Sequence, residues 1–293
     1  MGKITIATAC MHVVYDKKKN MEKYMQLIDE AATHQARLIV FPEMSLQGYL
    51  ENLSVYKEST VSYQHREAEV VPDGEATQQL MQKAKEKHMY IIFGMTEKDP
   101  EYPDQIYNTA VLVGPEGYIG KYRKVHLPMD EAHLFCPGNE INVFQTELGK
   151  IGMLICYDKD YPETARILAV KGAQILAMPT AWSLSPDSED TETNYSVYVY
   201  DLLDRTRAME NQVFFVSSNQ IGTTGDIHYF GRSRIVSPMG KPVAEQLNTE
   251  GLAFYTTDIE EEIIKVRTTG LFGLNLMKDR RPGMYGAIAQ EGE

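Results

Sequence analysis

The chain has 293 residues, 43% apolar and 24% charged, the proportions of an ordinary globular protein. Its 29 Lys and Arg against 41 Asp and Glu leave a formal charge of -12, which argues against nonspecific attraction to nucleic acid or to an anionic bilayer. No apolar run approaches the roughly 20 residues of a membrane helix. Cys10, Cys136 and Cys156, odd in number and without a CxxC, form neither a disulfide framework nor a zinc site, so a reducing cytoplasm is expected.

Strand-like and helix-like segments alternate from start to finish. Residues 3–9 read as a strand rather than as the apolar core of a signal peptide. Met21, Tyr24, Met25, Ile28 and Ala32 recur at helical spacing and predict a helix over about 20–35, and the apolar run 37–42 follows as a strand. A helix over about 75–88 opens after Pro72-Asp73-Gly74, and strands are expected at 89–95, 107–113 and 118–123.

The later half repeats the theme. A strand at 151–156 leads into a helix near Pro162, a residue suited to a first helical turn, and Gly172 ends that helix. A strand at 174–179, a helix over about 195–210 and a strand at 213–218 come next, with short strands around 227–236 and 252–257. Runs such as Leu38-Ile39-Val40-Phe41 are apolar on both faces, as central strands covered on both sides must be. No break in composition marks a boundary, so residues 1–293 read as one α/β domain.

Three reactive side chains stand at or after strand ends, where α/β folds place their chemistry. Glu43 follows one buried run, Lys124 ends Lys121-Tyr122-Arg123, and Cys156 follows Ile151–Ile155. A thiol at neutral pH needs a base or a nearby cation to act as a nucleophile. Either a histidine, His126 or His133, takes its proton, or a carboxylate does so while a lysine steadies the charge. Blander readings stand beside these: Cys156 as core filler, Glu43 as a rim charge, and residues 121–124 as a solvated basic face. Glu131, seven residues beyond Lys124, is by itself a weak signal.

Phe41-Pro42-Glu43 with Gly48-Tyr49, then Tyr122-Arg123-Lys124-Val125-His126-Leu127 with Pro137-Gly138, then Ile155-Cys156-Tyr157-Asp158 with Tyr161-Pro162-Glu163 resemble, in order and spacing, the three motifs of the nitrilase superfamily, the carbon-nitrogen hydrolases. Arg205-Thr206-Arg207-Ala208-Met209-Glu210-Asn211 and Arg280-Arg281-Pro282 are also similar, and the resemblance runs from about residue 3 to 285.

The resemblance implies a four-layer αββα sandwich and a triad of Glu43, Lys124 and Cys156, with Glu131 matching a further glutamate of many members. It implies hydrolysis of a non-peptide C–N bond through a thioester on Cys156, with no cofactor and no metal. It also implies a homodimer or higher homo-oligomer, with the tail from about residue 270 in its contacts. Tyr157-Asp158 after the cysteine is more similar to amidase and N-carbamoyl-amine branches than to true nitrilases. The expected substrate is therefore a small amide or carbamoyl compound. A nitrile-hydrolysing enzyme and a non-catalytic binding member of the same fold are the alternatives.

For substrate contacts the candidates are Tyr157, Trp182 and Lys159. Trp182 is equally readable as a packed aromatic and Lys159 as a solvated charge. The acidic stretch around Asp187, Glu189, Asp190 and Glu192 reads as a solvated loop, or as a lure for an amine-bearing substrate.

Overall fold

The protein is described from a computed structural model covering residues 2–51, 57–129 and 131–290. Two six-stranded mixed sheets lie face to face. The first has the order β14-β1-β2-β3-β4-β5, formed by Gly251–Thr257, Ile4–Cys10, Ala36–Val40, Tyr90–Lys98, Ile106–Gly114 and Gly117–Arg123. The second has the order β13-β12-β9-β8-β7-β6, formed by Pro242–Gln246, Ser233–Val236, Phe214–Asn219, Ile175–Thr180, Gly149–Met153 and Val143–Thr146. A small ribbon of β10 (Ile221–Thr224) and β11 (Ile227–Phe230) stands apart. In each sheet the three central strands, β1-β2-β3 and β7-β8-β9, run parallel.

Period-two alternation sorts the apolar runs between layers. Leu38, Val40, Ile92 and Leu112 of the first sheet meet Ile151, Met153, Ala177 and Val216 of the second in the core between the sheets. Ile39, Ile91 and Phe93 face the other way, against Tyr24 and Ile28 of α1 (Lys17–Thr33) and Leu80 of α3 (Glu75–Lys87). On the far side Leu176, Met178 and Phe215 pack under α5 (Pro162–Val170) and α6 (Tyr195–Asn211). These are the four layers of an αββα sandwich, as expected.

Helix starts follow their caps. Asp16 accepts the Lys19 N–H at 3.1 Å, so α1 begins earlier than its apolar periodicity alone suggests. Asn194 caps α6 in the same way. Three helices escape the sequence reading. The helix α2 (Glu58–Glu67) is mostly polar and buries Thr60 and Gln64, with Gln64 donating to the Gly48 carbonyl at 2.8 Å. The single turn α4 (Glu131–Leu134) is too short to show a period. The short strands β6, β10 and β13 and the final helix α7 (Ile259–Thr268) also went unread. No helix among the described residues is long and apolar enough to cross a membrane.

Candidate active site

The site forms where the two sheets meet at their strand ends. Beyond β2 the chain turns at Pro42, and the Glu43 N–H donates to the carbonyl of Thr180 at the end of β8, 3.3 Å away. Gln220 in turn donates to the Glu43 carbonyl at 2.9 Å. The turn lies directly on Gly94 of β3. A Cβ there would come within 2.5 Å of the Met44 nitrogen and 2.6 Å of the Pro42 carbonyl, so only glycine lets the Glu43 loop settle this low.

Alternation explains why one cation of the basic run turns inward. Lys121 and Arg123 share a face of β5, and both pair with the buried Glu97, the former at 2.5 Å and the latter at 2.6 Å. Tyr122 and Lys124 take the opposite side and are buried. Lys124 Nζ, fully buried, donates to Glu43 Oε1 and to Glu131 Oε1, each at 2.7 Å. Asn108 of β4 tightens the triangle by donating to Glu43 Oε1 at 2.7 Å and to Glu131 Oε2 at 3.3 Å. The Ala181 N–H serves Glu43 Oε2 at 2.8 Å, and the Tyr49 hydroxyl donates to Glu131.

These charges set one another's protonation. Burial alone works against the Lys124 ammonium, but Glu131 and Glu43 outweigh it and hold the proton more firmly than usual. Burial pushes the Glu131 carboxyl up to about 7, with Lys124 pulling it back and Glu43 adding to the rise. The Tyr49 phenol is driven well above its ordinary range by burial and by the two glutamates.

Cys156 comes from the other sheet. The strand β7 ends at Met153, three residues before the expected boundary, and Cys156 opens a 3-10 turn over Cys156–Asp160. Its φ of 48° is left-handed, an arrangement that costs an L-residue roughly 1–2 kcal/mol and lifts the side chain out of the strand. The turn is fixed by Asp158. That carboxylate accepts from the Ile155 N–H at 2.9 Å, the Tyr122 hydroxyl at 2.8 Å and the His126 N–H at 3.0 Å, and His126 Nδ1 lies 2.8 Å from it. Asp158 thereby stitches the cysteine turn to the segment that carries Lys124. Burial first, then the nearby Glu43 charge, raises the Cys156 thiol, with Lys124 opposing, so the resting group is the neutral thiol.

A cavity of about 330 Å³ opens over Cys156, with Tyr49, Tyr157, Asp160, Trp182 and Ser196 among its walls. Of the expected substrate contacts, Tyr157 and Trp182 are therefore in the walls. Trp182 is held by its Nε1–H, which donates to Ser196 Oγ at 2.7 Å. Lys159 is elsewhere. It is fully buried, donates to Asp204 Oδ1 at 2.8 Å, and sits over the rings of Tyr200 and Trp182 at 3.6 and 4.1 Å. Its ammonium braces the back of Trp182 instead of entering the cavity.

His126 is held against Asp158 and stacked on Tyr161, rings 3.7 Å apart, and His133 is exposed. Neither lines the cavity. Asn108, Tyr49 and Asp158 went unread as site residues. Asn108 had a signal, a polar amide in the middle of an otherwise strand-like run. Among the described residues no group of three His, Cys, Asp or Glu side chains is placed to hold a metal ion.

Residues 3–267 match the carbon-nitrogen hydrolase family. A protein of Pyrococcus abyssi named "Nitrilase" is 34% identical over 282 residues, covering 93% of this chain and 95% of its own. Human "Omega-amidase NIT2" is 28% identical over 272 residues, 89% of this chain and 91% of its own. Among solved structures, Saccharomyces cerevisiae Nit3, described as a member of branch 10 of the nitrilase superfamily, superposes with a TM-score of 0.78 at 28% identity, covering 91% of this chain and 93% of that one. The chain belongs to the carbon-nitrogen hydrolase family.

Proposed function

We propose that the protein hydrolyses a small amide or N-carbamoyl compound through a thioester on Cys156. The observation that carries this is the fully buried Lys124 ammonium, hydrogen-bonded at 2.7 Å to both Glu43 and Glu131, beside a thiol that opens onto a cavity. Two carboxylates and an ammonium withdrawn from water are costly to keep unless they do chemistry or are fully paired. Here the cavity lies next to them.

In this reading Glu43 takes the Cys156 proton as sulfur adds to the substrate carbonyl carbon. The negative oxygen that develops is met by Lys124 and by the Tyr157 N–H in the opening turn after Cys156, where helical donors lack an internal partner. Each such donor is worth about 3 kcal/mol in a dry site. Glu43 then returns the proton to the departing nitrogen, the C–N bond breaks, and ammonia or an amine leaves an acyl group on sulfur. Water, deprotonated by Glu43, adds to the thioester, and the proton goes back to sulfur as the acid departs. Glu131 anchors Lys124 throughout and is anchored itself by Tyr49. Tyr157-Asp158 after the nucleophile supports the amide branch over nitriles, and the named omega-amidase relatives point the same way.

The test is ammonia release from aliphatic amides, ω-amido acids, N-carbamoyl amines and nitriles, with Cys156→Ala as the blank. Release from amides or carbamoyl compounds that vanishes in the blank supports the reading, release confined to nitriles replaces it with the nitrilase alternative, and silence from every class overturns it. A homodimer or larger homo-oligomer belongs to the same proposal. It is supported by the exposed Phe272, Met284 and Ile288 along the C-terminal segment, and light scattering of the purified chain tests it.

A further inference from the structure

Among the described residues that wall the cavity over Cys156, Asp160 is the only one with an ionisable acidic or basic side chain other than thiol and phenol groups. Asp160 closes the 3-10 turn that Cys156 opens, so the two Cα atoms are separated by roughly 8 Å at the 2.0 Å rise of such a turn. Its Oδ1 is buried and has no hydrogen-bond partner.

The cations around it are all engaged elsewhere. Lys159 pairs with Asp204 at 2.8 Å. Lys124 bridges Glu43 and Glu131. Arg207 bonds Glu210 through Nη1 at 2.8 Å and the Lys159 carbonyl through Nε at 2.8 Å, and reaches only the main-chain carbonyl of Asp160, at 3.4 Å. The surroundings hold the turn in place while leaving one carboxylate oxygen unanswered. Burial raises the Asp160 carboxyl, against the pull of Lys159 and Arg207, as happens when a carboxylate lacks donors of its own. A carboxylate short of hydrogen-bond donors gains when a ligand brings one within reach of it.

Resting on the hydrolase reading above, we propose that the substrate carries a primary ammonium a few bonds from its scissile carbonyl, and that Asp160 binds it. A cavity of this volume accommodates only a small molecule. A substrate with a carboxylate in that position would meet a like charge. Asp160 is in this way a specificity-determining residue, and it separates the preferred substrate from an ω-amido acid of the same length.

The experiment compares three amides with the same three-methylene spacer: 4-aminobutanamide, pentanamide and glutaramate. A charge-assisted hydrogen bond predicts kcat/KM for 4-aminobutanamide about tenfold to a hundredfold above pentanamide, with glutaramate lowest. In Asp160→Asn the ratio of 4-aminobutanamide to pentanamide is expected to fall to within about threefold, since the amide retains shape but not charge. A ratio unchanged by the substitution, or glutaramate as the best of the three, overturns the proposal while leaving the hydrolase reading intact.

Calorimetric titration of 4-aminobutanamide into Cys156→Ala, and into Cys156→Ala with Asp160→Asn, reads binding without turnover. Binding lost on removal of the Asp160 charge supports the assignment even where no amide is hydrolysed, and binding indifferent to it, or absent from both proteins, overturns the assignment.

Discussion

Replacing Lys124 by methionine keeps the length of the side chain and removes the cation that touches both Glu43 and Glu131. Each contact is 2.7 Å, and at an effective dielectric of about 20 a unit pair at that distance is worth about 6 kcal/mol. Against this stands the several kcal/mol needed to strip water from an ammonium, a cost that the substitution returns. The balance for breaking a buried pair is about 3–5 kcal/mol of lost stability. Asn108 remains, donating to both carboxylates, so the two acids stay together and must share a proton.

That proton fixes the sign of the pH dependence. Above the ordinary carboxylate range the mutant's folded state binds a proton that its unfolded state does not, and its stability then falls as pH rises. Urea unfolding at pH 8 and pH 5 reads the difference. The loss relative to the unmodified chain is expected to be about 3–5 kcal/mol at pH 8 and clearly smaller at pH 5. A loss below about 1 kcal/mol at pH 8, or a larger one at pH 5, would refute the view that Lys124 neutralises two buried charges.

Other substitutions probe separate parts of the site. Glu43→Gln is expected to lower acylation by about a hundredfold or more, as loss of a general base does, while His126→Asn, which loosens the Asp158 brace and the stack on Tyr161, keeps within about tenfold; equal losses in a single-turnover assay would argue for histidine as the base. Gly94→Ala forces the Glu43 loop upward and is expected to cost about 1–3 kcal/mol along with most of kcat, and a variant with unchanged kcat and thermal midpoint would remove the role given to that close approach. Glu131 has its folded-state carboxyl raised from 4.5 to about 7, so its contribution to stability is full below 4.5 and is lost as pH rises through 7; Glu131→Gln should flatten the stability profile across that window, and a profile of unchanged slope would contradict the burial argument.

The parts of this protein that follow from periodicity were legible in its sequence. Leu38-Ile39-Val40-Phe41 announced a strand covered on both sides, and the sandwich supplies both covers. The inward turn of Lys124 is not legible in that way: it follows only when the structure shows Lys121 and Arg123 sharing one face of β5 against Glu97, with Tyr122 on the other. What periodicity does not encode is the partner that a polar side chain finds at long range. Asn108 lies 65 residues from Glu43 in sequence, and Lys159 lies 45 from Asp204. The helix α2 was unreadable for a related reason, since its buried face is made of threonine and glutamine whose hydrogen-bonding partners lie outside it.

The second sheet, together with the β10–β11 ribbon, comes from one continuous stretch of chain, β6 to β13, inserted between β5 and β14 of the first. Glu43, Lys124 and Glu131 precede that stretch, and Cys156 lies within it. In a chain with only one layer closed, the thiol is an ordinary thiol and the glutamates are ordinary hydrated acids. Their shared electrostatics comes into being with the docking of the two layers. The cluster is therefore a gauge of completed assembly, formed only when both sheets are in place.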